Sequence, residues 1–161
     1  MSSDPKSRSD VLPFPPASPG KRLAGALIDG LLFAVLALST LSTDTSNGVG
    51  LGLAWLGISA LYEIGLTAAR GQTLGKMAVG TQVVDVSGER LPSWGQAALR
   101  WLVQGVPNIV GVVVVSSAVD LASLVWATVI YLPILRSLDR RGWHDRLAGT
   151  IVIDRRLAAS D

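Results

Sequence analysis

KRLAGALIDGLLFAVLALSTL, residues Lys21 to Leu41, sets an arginine and an aspartate into an otherwise apolar run. At a rise of ~1.5 Å per residue, such a run is long enough to cross a hydrocarbon core of ~30 Å, which places Asp29 at lipid depth. Arg22 and Asp29 are seven residues apart. On a helix of ~3.6 residues per turn they share a face about two turns from each other, too far to pair directly. A carboxylate in a spanning helix costs ~3 kcal/mol at its centre, so it faces a protein interior or a wet cavity and needs a partner. Two readings are open for Asp29. Either it lies near the cytoplasmic headgroups, hydrogen-bonded to other helices as a structural element, or it titrates on an ion path.

Composition agrees with a bilayer setting. The chain has 161 residues, 49% of them hydrophobic and only 16% charged, whereas a soluble domain carries nearer ~25% charge. It contains no cysteine, which excludes disulfides, zinc-thiolate sites and iron–sulfur clusters. With His144 as the single histidine, an imidazole metal site is not expected, and no cofactor is. The net charge is +2. Because the basic residues cluster beside apolar runs, they read as topology signals and anionic-lipid contacts, and nucleic acid is not expected as a partner.

Upstream, Met1 to Gly20 is rich in Ser and Pro and reads as a disordered cytoplasmic tail, residues 1–20. The apolar run after it exceeds the ~7–15 residues of a signal peptide core and no cleavage pattern follows, so the first span is expected to be retained. Downstream, Ser42 to Gly48 is a polar loop with Asp44 and no Lys or Arg, and Val49 to Ala69 is a second span whose only charge is Glu63. Arg70 and Lys76 follow at once. The positive-inside rule then puts Lys6, Arg8, Lys21 and Arg22 on the cytoplasmic side with the segment after Ala69, and the Asp44 loop outside.

Gly71 to Pro92, GQTLGKMAVGTQVVDVSGERLP, changes character. Gln82 to Val86 is rich in β-branched residues, Ser87-Gly88 signals a turn and Leu91 resumes the apolar pattern, which predicts a small β-hairpin. Thr150 to Ile153 is a further β-branched run able to join its edge. Strand pairing requires both segments on one side of the membrane. Between them, Trp101 to Leu135 carries no Lys or Arg and is interrupted by Pro107-Asn108, Ser116-Ser117, Asp120 and Pro133. One tilted helix would send the carboxyl terminus outside. Two helices turning near Ser116-Ser117 bring it back, as the cluster Arg136, Arg140, Arg141, Arg146, Arg155 and Arg156 requires. Roughly 17 residues per arm is short for spanning. Three arrangements therefore stay open: two short spans, a third helix starting at Trp94 with Arg100 near the interface, or a re-entrant hairpin. Trp94, Trp101, Tyr131 and Trp143 are expected at headgroup depth. On the four-span arrangement all 14 Lys and Arg are cytoplasmic.

Three pieces taken together, RLAGALID at Arg22 to Asp29, GQTLGKMAVGTQVV at Gly71 to Val84 with Arg100, and HDRLAGTIVID at His144 to Asp154, resemble the RDD family of small prokaryotic membrane proteins. The family is named for one arginine and two aspartates. By motif, Arg22 and Asp29 correspond to the arginine and first aspartate, and Asp145 to the second. Gly71, Thr73, Gly75, Lys76, Gly80, Arg100, Ala148, Gly149 and Thr150 match its other recurring positions. The resemblance covers nearly the whole chain from Lys21 onward and implies, for some members, cation/proton antiport.

The residues themselves support more than one use. Gly71, Gly75 and Gly80 suit tight turns where the second helix exits, and Lys76 suits contact with anionic lipid heads. The strand context of a phosphate loop is missing. His144 and Asp145 form a candidate proton-handling couple in which the carboxylate raises the imidazole pKa. The alternative is structural: Asp145 caps a short helix beginning Asp145-Arg146-Leu147-Ala148, or pairs with an arginine. Arg100 is either part of this polar network or a snorkelling residue at the interface. Glu63 lies close in depth to Asp29, and the two are candidates to share a proton or cation. Asp120 falls near the outer end of the fourth helix, where water can reach it.

The expected protein is thus mainly α and polytopic. It has about four membrane-embedded helices, the third and fourth short or re-entrant, with a small cytoplasmic β-hairpin or sheet. Residues 21–154 form the membrane domain and residues 155–161 a cytoplasmic tail. Arg22, Asp29, Glu63, Arg100 and Asp145 are the candidate ion path or buried polar network, and Lys76, Asp120 and His144 are secondary to it. One function compatible with this pattern is exchange of Na⁺ or another monovalent cation for protons, for which a homodimer would supply missing walls. The other is a non-catalytic accessory or assembly subunit of a larger membrane complex, with close helix contact along Gly48, Gly50, Gly52, Ala54 and Gly57. Without a nucleophile–base pair, metal cluster or cofactor loop, an enzyme is not expected. Both termini are expected to be cytoplasmic in a multi-pass cell-membrane protein.

Overall fold

The computed structural model describes residues 15–38, 48–114 and 117–158. Four long helices alternate with short elements. Helix α1 spans Pro19–Leu38 and α2 spans Gly48–Arg70; the short helix α3, Leu74–Val79, then leads into strand β1, Thr81–Asp85. Helix α4 runs Trp94–Gly111 and α5 Ser117–Arg136, followed by the short α6, Trp143–Leu147, strand β2, Thr150–Asp154, and a final turn of helix α7, Arg155–Ala158. Trp101 to Leu135 is therefore not one helix, and the third helix starts at Trp94. Its start is written in the sequence as a capping box: the Gln96 amide donates to Ser93 Oγ and the Ser93 amide to Gln96 Oε1. Among the described residues, α2 is long and apolar enough to cross a membrane, and Leu121–Arg136 is a shorter apolar helix. The expected Asp44 loop, residues 115 and 116 where a turn was expected, and the side chain of Asp120 lie outside the described residues.

β1 pairs antiparallel with β2, with Val83 opposite Val152 and Val84 opposite Ile151. The predicted local hairpin does not form. After Asp85 the chain turns, with Ser87 donating to Asp85 Oδ1 and the Gly88 amide to the Asp85 carbonyl. It returns only far enough for the Asp85 amide to reach the Arg90 carbonyl. Glu89 to Leu91 offers one apolar residue and Pro92 has no amide to give, whereas β2 offers Ile151, Val152 and Ile153, all buried.

A third short strand-like segment covers the other edge of β2. The Ala17 amide donates to the Val152 carbonyl and the Asp154 amide to the Pro15 carbonyl, with Pro16 bridged to Ile153. Residues 15–17 are thus held, and Pro19 and Gly20 already belong to α1. The disordered tail expected over residues 1–20 does not reach Gly20, and residues 1–14 lie outside the described residues. Alternation sends Ala17, Val83 and Val152 to one face of the ribbon and Val84, Ile151 and Ile153 to the other. Full burial of each such Val or Ile side chain is worth about 1.5–3 kcal/mol.

The ribbon gathers the helix ends. The entry to α1 pairs with β2, and the exit of α2 places the Gly71 carbonyl to accept from the Val83 amide. Gln96, in the first turn of α4, donates to the Gly149 carbonyl, and Arg141, just beyond α5, donates to the Thr150 carbonyl. All four helices therefore meet the sheet with the same end of the bundle. At this end Gly71 has φ +69°, and a Cβ there would stand 2.4 Å from the Val83 carbonyl oxygen, so both the turn and the approach require glycine. Further along, Phe33 of α1 packs edge-on against Trp55 and Tyr62 of α2.

Helices α4 and α5 are joined by a repair. Pro107 has no amide to donate to the carbonyl of Val103, four residues earlier, and the indole Nε1 of Trp126 on α5 donates to that carbonyl instead, at 2.8 Å. The faces left outward are apolar: Leu27, Leu31, Leu61, Leu121, Leu124 and Leu135 are each more than half exposed.

Candidate functional site

Two polar junctions lie at the sheet end of the helices, one around each motif aspartate. Helix α3 is a single short piece folded back onto α1, and its first amides have no partner within it. Thr73 occupies the N-cap position but makes no capping bond with its own side chain. Asp29 supplies the cap from α1: the Gly75 amide donates to Asp29 Oδ1 at 2.7 Å and the Thr73 hydroxyl to Oδ2 at 2.6 Å. The Tyr62 hydroxyl donates to Asp29 Oδ1 at 2.6 Å and itself accepts from the Leu74 amide. The partner that Asp29 needs is thus the start of a helix, where the dipole favours a carboxylate.

Contact this close requires bare backbone at Gly75 and leaves little room at Gly25, where a Cβ would stand 3.3 Å from Val79 Cγ2. A Cβ on Gly75 would lie 2.0 Å from the Gly25 carbonyl oxygen and 2.8 Å from Asp29 Cγ. Gly75 is therefore not a turn residue, as the sequence suggested. Gly71 and Gly80, with φ +69° and +74°, are.

Asp145 is the second junction. It sits in the first turn of α6 and reaches back to accept from the Gly142 amide at 3.0 Å, so it caps this helix from within instead of preceding it. Arg22 Nη1 donates to Asp145 Oδ2 at 2.7 Å, and Arg100 Nη1 donates to Oδ1. Arg100 is buried and belongs to this network, which overturns its reading as a snorkelling residue. Thr150 Oγ1 lies 3.4 Å from Arg100 Nη1, and Arg141 Nη2 donates to the Asp145 carbonyl. Nearer the surface, Lys21 Nζ pairs with Asp154 Oδ2.

His144 is fully buried, its ring 4.8 Å from that of Tyr131. Its Nε2 is 3.5 Å from Asp145 Oδ1, and neither ring nitrogen has a hydrogen-bond partner among the described residues. Burial, and then Arg100, Arg22 and Lys76, push its pKa well below the ordinary value. The expectation that the neighbouring carboxylate would raise it fails because Asp145 is already engaged by two guanidiniums. Lys76, expected to reach lipid heads, instead lines an inner cavity and donates to Thr73 Oγ1 at 3.1 Å. Burial, with Arg100 and Arg22 adding to it against the pull of Glu63 and Asp29, lowers its ammonium pKa.

The structure therefore brings Arg22, Arg100, Asp145, His144 and Lys76 together and sets Asp29 in a separate cluster with Tyr62, Thr73 and Gly75. Among the described residues no hydrogen bond or ion pair joins Glu63 to Asp29. No group of three or more His, Asp or Glu among them is placed to hold a metal ion. Tyr131 has an inner role beside any at headgroup depth, since its hydroxyl accepts from Gln104 Nε2. Tyr62 and Thr81 were not singled out in advance. Tyr62 has no motif to mark it, and Thr81 could have been suspected as a hydroxyl opening a strand.

The RDD family model matches residues 16–149 of the chain. No curated protein and no solved structure matches it.

Proposed function

Since the chain belongs to the RDD family and is a membrane protein, we propose that it is a multi-pass protein of the cell membrane with both termini cytoplasmic, acting as a non-catalytic accessory or assembly subunit of a larger membrane complex. Four helices whose ends meet one ribbon support an even number of crossings, and the basic residues near that ribbon support its placement on the cytoplasmic side. The observation that carries the subunit reading is the state of the two motif aspartates. Asp29 accepts from Tyr62, Thr73 and Gly75, and Asp145 from Arg22, Arg100 and Gly142. Both carboxylates are occupied by the chain's own donors, as suits groups that fasten helices together. The outward leucines of α1, α2 and α5 then serve as surface for lipid and for helices of a partner or a second copy.

Cation/proton exchange through Asp29 and Glu63, which the family resemblance raises, is the competing outcome. Purified protein in sealed liposomes is expected to move neither Na⁺ nor K⁺ against a proton gradient, and gentle extraction from native membranes is expected to recover it in a larger assembly. Exchange that Glu63→Gln abolishes in a folded protein would overturn the reading. So would recovery of the bare chain alone.

A further inference from the structure

Between the two junctions lies a cavity of about 40 Å³, lined among others by Arg22, Lys76, Thr81, Arg100, Tyr131 and His144. Three cationic side chains, Arg22, Lys76 and Arg100, line it together with no carboxylate among the described residues, and Asp145, which pairs with Arg22 and Arg100, is not in its wall. Asp29 does not line it, being turned to Tyr62, Thr73 and Gly75. Several polar groups at this place lack a partner. Arg22 Nε, Thr81 Oγ1 and both nitrogens of His144, one of which donates in the neutral imidazole, are buried without a partner among the described residues, and Thr81 and His144 are fully buried. The Tyr131 hydroxyl accepts from Gln104, which leaves its own proton to give. A buried polar group left unsatisfied is destabilising.

We propose that this cavity is a binding site for a small inorganic monovalent anion of chloride size. Water would meet the hydrogen bonds, whereas an anion accepts from N–H and O–H donors on all sides and is drawn as well by the three cationic groups on the wall. The volume of about 40 Å³ exceeds the ~10–15 Å³ that one water molecule needs, so it has room for a halide. Lys76 is the selective element. Arg22 and Arg100 are committed to Asp145, while among the described residues Lys76 Nζ bonds to the Thr73 hydroxyl alone. The site is independent of whether the chain is a subunit or a transporter.

The test uses the full chain in detergent at fixed Na⁺ concentration and ionic strength, with thermal unfolding followed in chloride, bromide, gluconate or inorganic phosphate. Chloride and bromide are expected to raise the midpoint saturably, and gluconate and phosphate are not. Lys76→Met and Thr81→Val, checked for folding by circular dichroism, are expected to weaken the apparent chloride affinity by at least about tenfold. Equal midpoints in all four salts would overturn the proposal, as would a gain from phosphate alone or a chloride gain unchanged in both variants. Should either variant fail to fold, the salt comparison on the unaltered chain decides.

Discussion

Asp145 takes two guanidinium donors and one backbone amide with a single side chain. Asp145→Asn would leave Arg22 and Arg100 buried and uncompensated, a loss of about 3–5 kcal/mol. The expected result is a large fall in melting temperature or failure to recover monodisperse protein. Asp29→Asn is expected to be milder, about 1–3 kcal/mol, since the amide oxygen still accepts from Gly75 and the Thr73 hydroxyl can turn to accept. If the two variants prove equally tolerated in a thermal melt, the Asp145 junction is not the fastening claimed for it. His144 gives a pH signature. Its pKa is lowered in the fold, so the stability linked to its neutral form is complete above the unfolded value near 6.5 and is lost as pH falls below it. Once the unfolded chain binds this proton and the folded one does not, the slope is about 1.4 kcal/mol per pH unit. Melting between pH 7.5 and 5.5 should show this acid-side decline, and His144→Gln should flatten it. At this scale the sequence went far: Arg22 and Asp29 were marked because a charge in an apolar run demands an explanation, and Arg100 and Asp145 by the motifs that resemble the family's. It did not show that the first aspartate would bond Tyr62 and a helix start while the second took both arginines. Those pairings depend on where α3 and α6 fold back.

Helix α3 lies this close to α1 because Gly75 has no Cβ to meet the Gly25 carbonyl oxygen. Gly75→Ala would force α3 outward and pull its amide off Asp29, costing about 1–3 kcal/mol or more. Native-state proteolysis near residues 71–80 should quicken, and unchanged cleavage would show that α3 tolerates the displacement. The α4–α5 contact allows a cleaner experiment. Trp126→Phe leaves the Val103 carbonyl bare and is expected to cost about 1 kcal/mol, but much less in a Pro107→Ala background, where the new amide can take that carbonyl within the helix. A double-mutant cycle without coupling would contradict the repair. The elements themselves were legible where apolar length declared them, as in α2, whereas the capping box at Ser93-Trp94-Gly95-Gln96, which would have fixed the start of α4 among the open arrangements, went unread. The β-hairpin was misread because Gln82 to Val86 does look like one arm of a local pair. Strand choice was decided by the apolar content of two competing partners, one of them some 65 residues away, and local turn signals carry no information about that competition.

Across the whole molecule, the ribbon and two buried junctions close one end of four helices, and the requirement that β1 and β2 share a side was readable before any coordinates. How deep each helix sits was not readable, since α4 is only 18 residues long and short apolar helices fit a span and a re-entrant hairpin equally in composition. The native chain has no cysteine, which makes the central claim directly measurable by single-cysteine labelling in sealed, oriented vesicles. Cysteines placed at Ser87, Ser137 and Ser46 report the turn after β1, the exit of α5 and the loop between the first two helices. The account predicts that Ser87→Cys and Ser137→Cys react only with reagent on the cytoplasmic side and Ser46→Cys only with reagent on the other. Labelling of positions 87 and 137 from opposite sides would contradict it.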